Sequence, residues 1–120
     1  DYGHIKNINH STLQSVKKHK FSNTFDLPGE VDITHQINFK LFKEILKKNN
    51  VSVQKIVNQN EFLQKMGILK RAEILSKNMN FKNKANLFYR LKRLLDLKEM
   101  GGMFKVMFVQ KKGRKFTLGF

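Results

Sequence analysis

Residues 103–109, Met-Phe-Lys-Val-Met-Phe-Val, form a nearly continuous apolar segment rich in Val and Phe, directly after the pair Gly101 and Gly102. A run of that length and composition is expected to be a strand buried on both faces, and such a strand needs covering layers. The preceding sequence supplies them. Asn38 is placed to cap a helix over about residues 39–49, whose apolar Phe39, Phe42, Ile45 and Leu46 fall at helical spacing. Asn49 and Asn50 offer its stop. Val51, Val53, Ile56 and Val57 read as a short strand. Residues 61–66 and 69–77 read as helical on either side of Gly67, which is placed to terminate the first piece. A third amphipathic stretch carries Ala85, Leu87, Phe88, Leu91, Leu94 and Leu95 and is broken by Gly101 and Gly102. Residues 110–114 form a basic turn, and residues 115–120 are expected to return as a short edge strand. Helix, strand, helices, strand is an α/β order.

Residues 1–37 show no sustained periodicity and hold the only proline. Leu27, Pro28, Gly29 and Glu30 have the chemistry of a turn, and Phe21, Phe25, Val31, Ile33 and Ile37 are apolar anchors. An irregular segment of this length inside a domain is expected to be a functional loop. The whole chain, 120 residues, suits one globular unit or part of one. The chain starts on Asp1-Tyr2-Gly3 with no strand or helix before it, so it is expected to begin inside a domain.

Cysteine is absent, which excludes disulfides, thiolate metal sites and a cysteine nucleophile. His4, His10, His19 and His35 include no helical i, i+4 pair, so no metal site is expected. No apolar run approaches the roughly 20 residues of a membrane helix, and the expectation is a soluble, intracellular chain without a membrane partner. The formal charge of +15 points towards anionic partners, yet it comes from 20 Lys and only 4 Arg beside 12 Asn. Base-reading surfaces favour Arg, whose planar fork pairs bidentately with guanine. The charge is therefore read as a compositionally biased solvated surface, with nucleic acid not expected as a partner. A basic nucleic-acid-binding module and a decayed gene fragment are the two alternatives.

Five ordered pieces carry a resemblance. They are Asp1-Tyr2-Gly3-His4; the elements Thr12-Leu13-Gln14 and His19-Lys20-Phe21; PGEVDITHQINF from Pro28 to Phe39; QNEFLQKMGI from Gln59 to Ile68 with Arg71-Ala72; and RLLDLKEMGGMFKV from Arg93 to Val106. In this order and spacing the chain resembles the C-terminal part of a class I S-adenosylmethionine-dependent methyltransferase, in the family of the mitochondrial complex I assembly arginine methyltransferase and its bacterial relatives. Gln36 stands where that family has His or Asp, Asn38 where it usually has Asp, and Leu97 where proline is common.

The resemblance implies the C-terminal portion of a Rossmann-like α/β fold lacking the N-terminal cofactor-binding strands, with residues 1–37 as the active-site and substrate loop region and 38–120 as helices and last strands. It implies S-adenosylmethionine as cofactor, a protein arginine as acceptor, and cytoplasmic or mitochondrial-matrix residence for a bacterial or eukaryotic source respectively. Asp1, Tyr2 and His4 fall on the catalytic side, at the carboxyl end of a strand where such folds place ligands. Pro28, Gly29, Glu30, Asp32 and Thr34 fall on the substrate side. Carboxylates are needed there to orient a guanidinium and to take a proton from it. The competing structural reading makes Asp1 a plain strand-end residue, Tyr2 a packing residue, and Asp32 and Thr34 makers of turn hydrogen bonds. No two of the seven glycines stand two apart, so the turn that grips the cofactor is expected upstream, on the same or a separate chain.

Overall fold

The structure, a computed structural model, describes residues 1–25, 28–114 and 116–120. Helix α1 (Phe39–Lys48) starts where its cap chemistry dictates: the Asn38 side chain accepts from the Leu41 N–H at 3.0 Å. Asn49 closes it, and Asn50 turns out of it with φ of 59°. Helices α2 (Gln59–Lys65) and α3 (Ile68–Ser76) flank Gly67, whose φ of 80° only glycine adopts without strain. Asn80 caps α4 (Phe81–Leu95), accepting from the Asn83 N–H at 2.9 Å. A one-turn helix, α5 (Met100–Met103), contains both Gly101 and Gly102, so the glycine pair is part of a helical turn rather than a plain break.

The strands build a mostly antiparallel sheet around the segment singled out by its apolarity. Strand β1 (Gly3–His4) pairs in parallel with β5 (Ile37–Asn38). On its other side Tyr2 bridges Phe104, and Asp1 and Lys105 exchange backbone hydrogen bonds of 2.9 and 2.8 Å. That joins β1 to β8 (Lys105–Val106), which pairs antiparallel with β7 (Val57–Asn58). Further along, β6 (Val51–Val53) pairs with β9 (Val109–Lys111). Val53 faces Val109 and Val57 faces Val106, so residues 54–56 oppose only 107 and 108. One extra residue on one strand makes a bulge, and the ladder breaks there. Across the sheet β1, β5 and β7 run the same way, with their carboxyl ends at one rim.

Two expectations need correction. The segment 103–109 is not one strand buried on both faces: Met103 ends α5, only Lys105 and Val106 form β8 with a neighbour on each side, β9 starts at Val109 beside β6 alone, and the residues are half-buried apart from Met103 and Val109, which are exposed. Residues 116–120 form no strand, while Lys115 of the expected edge strand and Leu27 of the expected turn lie outside the described residues. Residues 1–37 are also less irregular than their composition suggests. Besides β1 and β5 they hold an antiparallel sheet of β3 (Lys20–Ser22), β2 (Gln14–Lys17) and β4 (Asp32–Thr34), in that spatial order.

The β2–β3 hairpin turns on Lys18 and His19, with φ of 48° and 64°. Two consecutive left-handed residues in a two-residue loop make a type I′ turn, which favours Asn-Gly and is strained for Lys-His. Replacing Lys18 by Asn together with His19 by Gly is expected to stabilise the fold by roughly 1–2 kcal/mol in urea unfolding. A decrease in stability would show that the turn is of another kind.

Among the described residues five apolar side chains are buried: Phe39, Ile56, Val57, Ala72 and Leu91. Large apolar side chains are exposed on α1 (Leu41, Phe42, Ile45) and on α3 (Leu69, Ile74, Leu75). The radius of gyration is 18.2 Å, against about 14 Å for a compact domain of this length. No helix is long and apolar enough to cross a membrane among the described residues.

Candidate functional site

The carboxyl ends of β1, β5 and β7 meet at one rim, which in open α/β sheets is where ligands bind. Tyr2 reaches it held from both sides: its carbonyl accepts from the Ile37 N–H at 2.9 Å, and its ring lies 4.2 Å from that of Phe104. That stacking is a packing role. The Asp1 carboxylate accepts from the Tyr2 N–H at 2.7 Å and is exposed. The half-buried His4 ring lies 2.6 Å through Nδ1 from the Lys6 carbonyl, so Nδ1 carries the proton and Nε2 is the nitrogen left to accept. Gly3 between them packs on Phe39, and a Cβ there would meet the ring at 2.4 Å.

The substrate-side residues lie on the other sheet. Glu30 pairs with Lys17 at 2.5 Å, on the connection that leads through Pro28 and Gly29 into β4. Gly29 has φ of 85° and carries the reversal. Thr34 Oγ1 accepts from Gln14 Nε2 at 3.0 Å, and the Asp32 side chain is exposed. By register Asp32, Val16 and Phe21 lie in one row, and Gln14 and Thr34 share their face. The predicted residues thus fall into two groups, one on each sheet. No hydrogen bond or ion pair among the described residues joins them directly. The nearest tie is the Gln36 N–H, which donates to Thr12 Oγ1 at 3.0 Å.

The rim holds polar residues that the pattern of charges did not single out. Lys105 extends into it beside β7 and donates to Asn58 Oδ1 at 2.8 Å and to the Gly102 carbonyl. Burial pushes its ammonium pKa below the usual lysine value, and its hydrogen-bond acceptors carry no formal charge. Gln59 and Asn60 donate to the carbonyls of Leu94 (3.0 Å) and Leu95 (2.5 Å), closing the end of α4. Their signal in the sequence is Asn58-Gln59-Asn60 at a strand-to-helix junction. Among the described residues no group of three or more His, Asp or Glu is placed to hold a metal ion.

The depressed pKa of Lys105 has a signed consequence. The folded state binds its proton less well than the unfolded state, so the charged amine costs stability at neutral pH. That cost is relieved as the pH rises through the folded pKa towards the unfolded value of 10.5. The stability of the parent relative to Lys105→Met, measured by urea unfolding, is expected to be greater at pH 10 than at pH 8. A difference that is flat, or that falls with pH, would contradict the burial of this ammonium.

This geometry accounts for two positions that depart from the motif the chain resembles. Asn38 caps α1 with its side-chain oxygen, a task that Asn and Asp perform about equally. Gln36 makes its tie through its backbone N–H, so the identity of its side chain is not engaged there.

Residues 1–57 match the model of a family of candidate S-adenosyl-L-methionine-dependent methyltransferases. The chain is 29% identical over 118 residues to the mitochondrial protein arginine methyltransferase NDUFAF7 of Xenopus tropicalis, covering 98% of this chain and 27% of that one. It is 32% identical over 108 residues to the mitochondrial NDUFAF7 homologue of Drosophila melanogaster, with coverages of 89% and 24%. Two crystal structures from Burkholderia thailandensis superpose with a TM-score of 0.73 over 90% of the chain. One, 21% identical, is a candidate methyl transferase bound to S-adenosyl-homocysteine, and the other, 25% identical, is a native protein of the same superfamily; the chain covers 28% and 29% of them. The chain therefore spans about a quarter of the length of the relatives it matches. Its fold is that of the C-terminal portion of theirs.

Proposed function

We propose that this chain, which resembles the C-terminal part of the class I methyltransferase family of the complex I assembly arginine methyltransferase, is the substrate-side portion of an S-adenosylmethionine-dependent protein-arginine N-methyltransferase. The observation that carries the reading is the similarity of 98% of the chain, at 29% identity, to a protein arginine methyltransferase; the superposition of 90% of it on a structure bound to S-adenosyl-homocysteine supports the fold. The described residues do not themselves fit the cofactor. Gly29, Gly67, Gly113 and Gly119 have positive φ, but none lies in a glycine-rich turn between a parallel strand and a helix. The cofactor is held by the N-terminal half of the enzyme, on the same or a separate polypeptide. The exposed apolar residues of α1 and α3 and the large radius of gyration support such a partner, because burying these faces takes further chain.

What these residues contribute is orientation. Asp1, Tyr2 and His4 stand on the catalytic side, with the Asp1 carboxylate positioned to hold a cationic guanidinium through charge-assisted hydrogen bonds and His4 Nε2 to accept a proton. Pro28, Gly29, Glu30, Asp32 and Thr34 form the substrate side, where Glu30 exchanges Lys17 for the substrate cation. The eukaryotic relatives are mitochondrial, which supports a proposed residence in the mitochondrial matrix for a eukaryotic source; the cytoplasm is proposed for a bacterial one.

The test joins the chain to the cofactor-holding half of a relative and follows methylarginine on a protein substrate by mass spectrometry. Methylarginine is expected only with both parts present, with at least a tenfold loss in Asp1→Asn, and calorimetry on the 120-residue chain alone is expected to show no cofactor binding. Cofactor binding by the chain alone, or a folded joined protein that makes no methylarginine, overturns the reading. Poor dispersion of amide NMR signals from the joined protein would point instead to a decayed fragment.

A further inference from the structure

The topology brings together two basic segments that are remote in sequence. Helix α1 ends on Lys47 and Lys48, and only Asn49 and Asn50 separate it from β6. The first residue of β6, Val51, pairs with Lys111, the last of β9, so the end of α1 and the turn after β9 lie at the same end of the ribbon. That turn carries Lys112 and Arg114 around Gly113, whose φ is 93°. All five cations are exposed, and none takes part in an ion pair among the described residues. No acidic residue occurs after Glu99. Glu44, one helical turn before Lys48, is the acid nearest in sequence to the α1 cations.

Beside these charges lies an open cleft of about 570 Å3 lined by Phe108, Gln110, Arg114 and Phe116. The rings of Phe108 and Phe116 are 5.2 Å apart, and Phe116 is half exposed. We propose that this end of the β6–β9 ribbon binds single-stranded nucleic acid, the lysines and Arg114 following the phosphates and Phe116 stacking on a base. Flat π-faces beside a row of cations are what an unpaired strand requires, whereas a duplex hides its bases from such a ring. The scarcity of Arg does not weigh against this mode, which reads no base edges. The surface lies at the amino-terminal end of β6, opposite the carboxyl-end rim, so it is separate from the proposed methyl-transfer site.

The test is fluorescence anisotropy of a labelled 15-nucleotide oligouridylate with the chain joined to the cofactor-holding half of a relative, between 50 and 200 mM salt. Five phosphate contacts give a log–log salt slope of about −3.5 on a single strand, a loss of roughly a hundredfold over that range. Lys111→Gln, Lys112→Gln and Arg114→Gln combined are expected to reduce the slope by about 2. Lys82→Gln, Lys84→Gln and Lys92→Gln on α4 remove the same charge and are expected to leave the slope within about 0.5 of the parent. Phe116→Leu is expected to weaken binding about tenfold and Phe116→Tyr to preserve it. Equal effects of the two triple variants would show diffuse attraction without a site and overturn the proposal. So would an affinity indifferent to Phe116→Leu, or binding to phosphatidylserine vesicles with none to the oligonucleotide.

Discussion

Gly102→Ala is expected to destabilise the fold by about 3 kcal/mol or more, read as the shift of the urea midpoint in far-UV circular dichroism. A Cβ at this position would lie 2.0 Å from the Leu97 carbonyl oxygen and 3.1 Å from the Leu97 Cα. Both are backbone atoms, so no side-chain rotation relieves the contact, and the connection between α4 and α5 has to move. That movement is opposed from two directions. Gly101 presses on the Leu95 and Asp96 carbonyls in the same way, with 2.4 Å from its own Cβ position to the Leu95 oxygen. The Gly102 carbonyl meanwhile accepts from the Lys105 ammonium. A loss below about 1 kcal/mol would show that the connection is compliant and that the glycine pair is retained for another reason.

This glycine pair also shows what the sequence discloses and what it conceals. The pair was legible as an interruption after the periodic leucines of α4, but its role in bringing a helical turn against the end of α4 was not, because the atoms it meets belong to the backbone. Helix existence was legible where apolar spacing and caps agree, as with Asn38, Asn49, Gly67 and the leucines of α4. The β2–β3 hairpin was not, since its strands are rich in Ser and Lys and its turn uses Lys18 and His19 where Asn-Gly is the recognisable signal. The apolar segment 103–109 supplies β8 and the start of β9 rather than one continuous strand, and its residues are half-buried or exposed. A continuous hydrophobic run implies two covering layers only if both are present in the same chain.

At the candidate site the order of motifs proposes positions but not their contacts. Nothing in a list of acidic residues indicates that Glu30 is engaged by Lys17 or that Thr34 is tied to Gln14, because both pairs depend on cross-strand neighbours. Lys105 was hidden for a different reason. One lysine among twenty has no distinguishing mark in the sequence, and only the register that sets it opposite Asn58 separates it from the solvated ones. The same register argument assigns the two ends of the sheet different characters: half-buried polar groups at the carboxyl rim, and exposed cations with aromatic rings at the other.

Phe39→Ala is expected to cost about 4 kcal/mol in the same unfolding assay, within the usual range for removing a buried phenylalanine. The residue is 4% exposed and is, among the described residues, the one buried aromatic. It opens α1 immediately after β5 and lies against Gly3, so it fastens the helix to the parallel pair that carries the candidate site. The two residues are expected to couple. Gly3→Ala in the parent forces a methyl group to 2.4 Å from the ring and 2.5 Å from the Ile37 carbonyl oxygen. In the Phe39→Ala background the first clash disappears and the second stays, so Gly3→Ala should cost less there by about 1–2 kcal/mol without becoming neutral. Strict additivity would mean that the ring and Gly3 are not in contact in solution. Complete rescue would mean that the β1–β5 pair opens once the ring is gone, releasing the Ile37 carbonyl along with it.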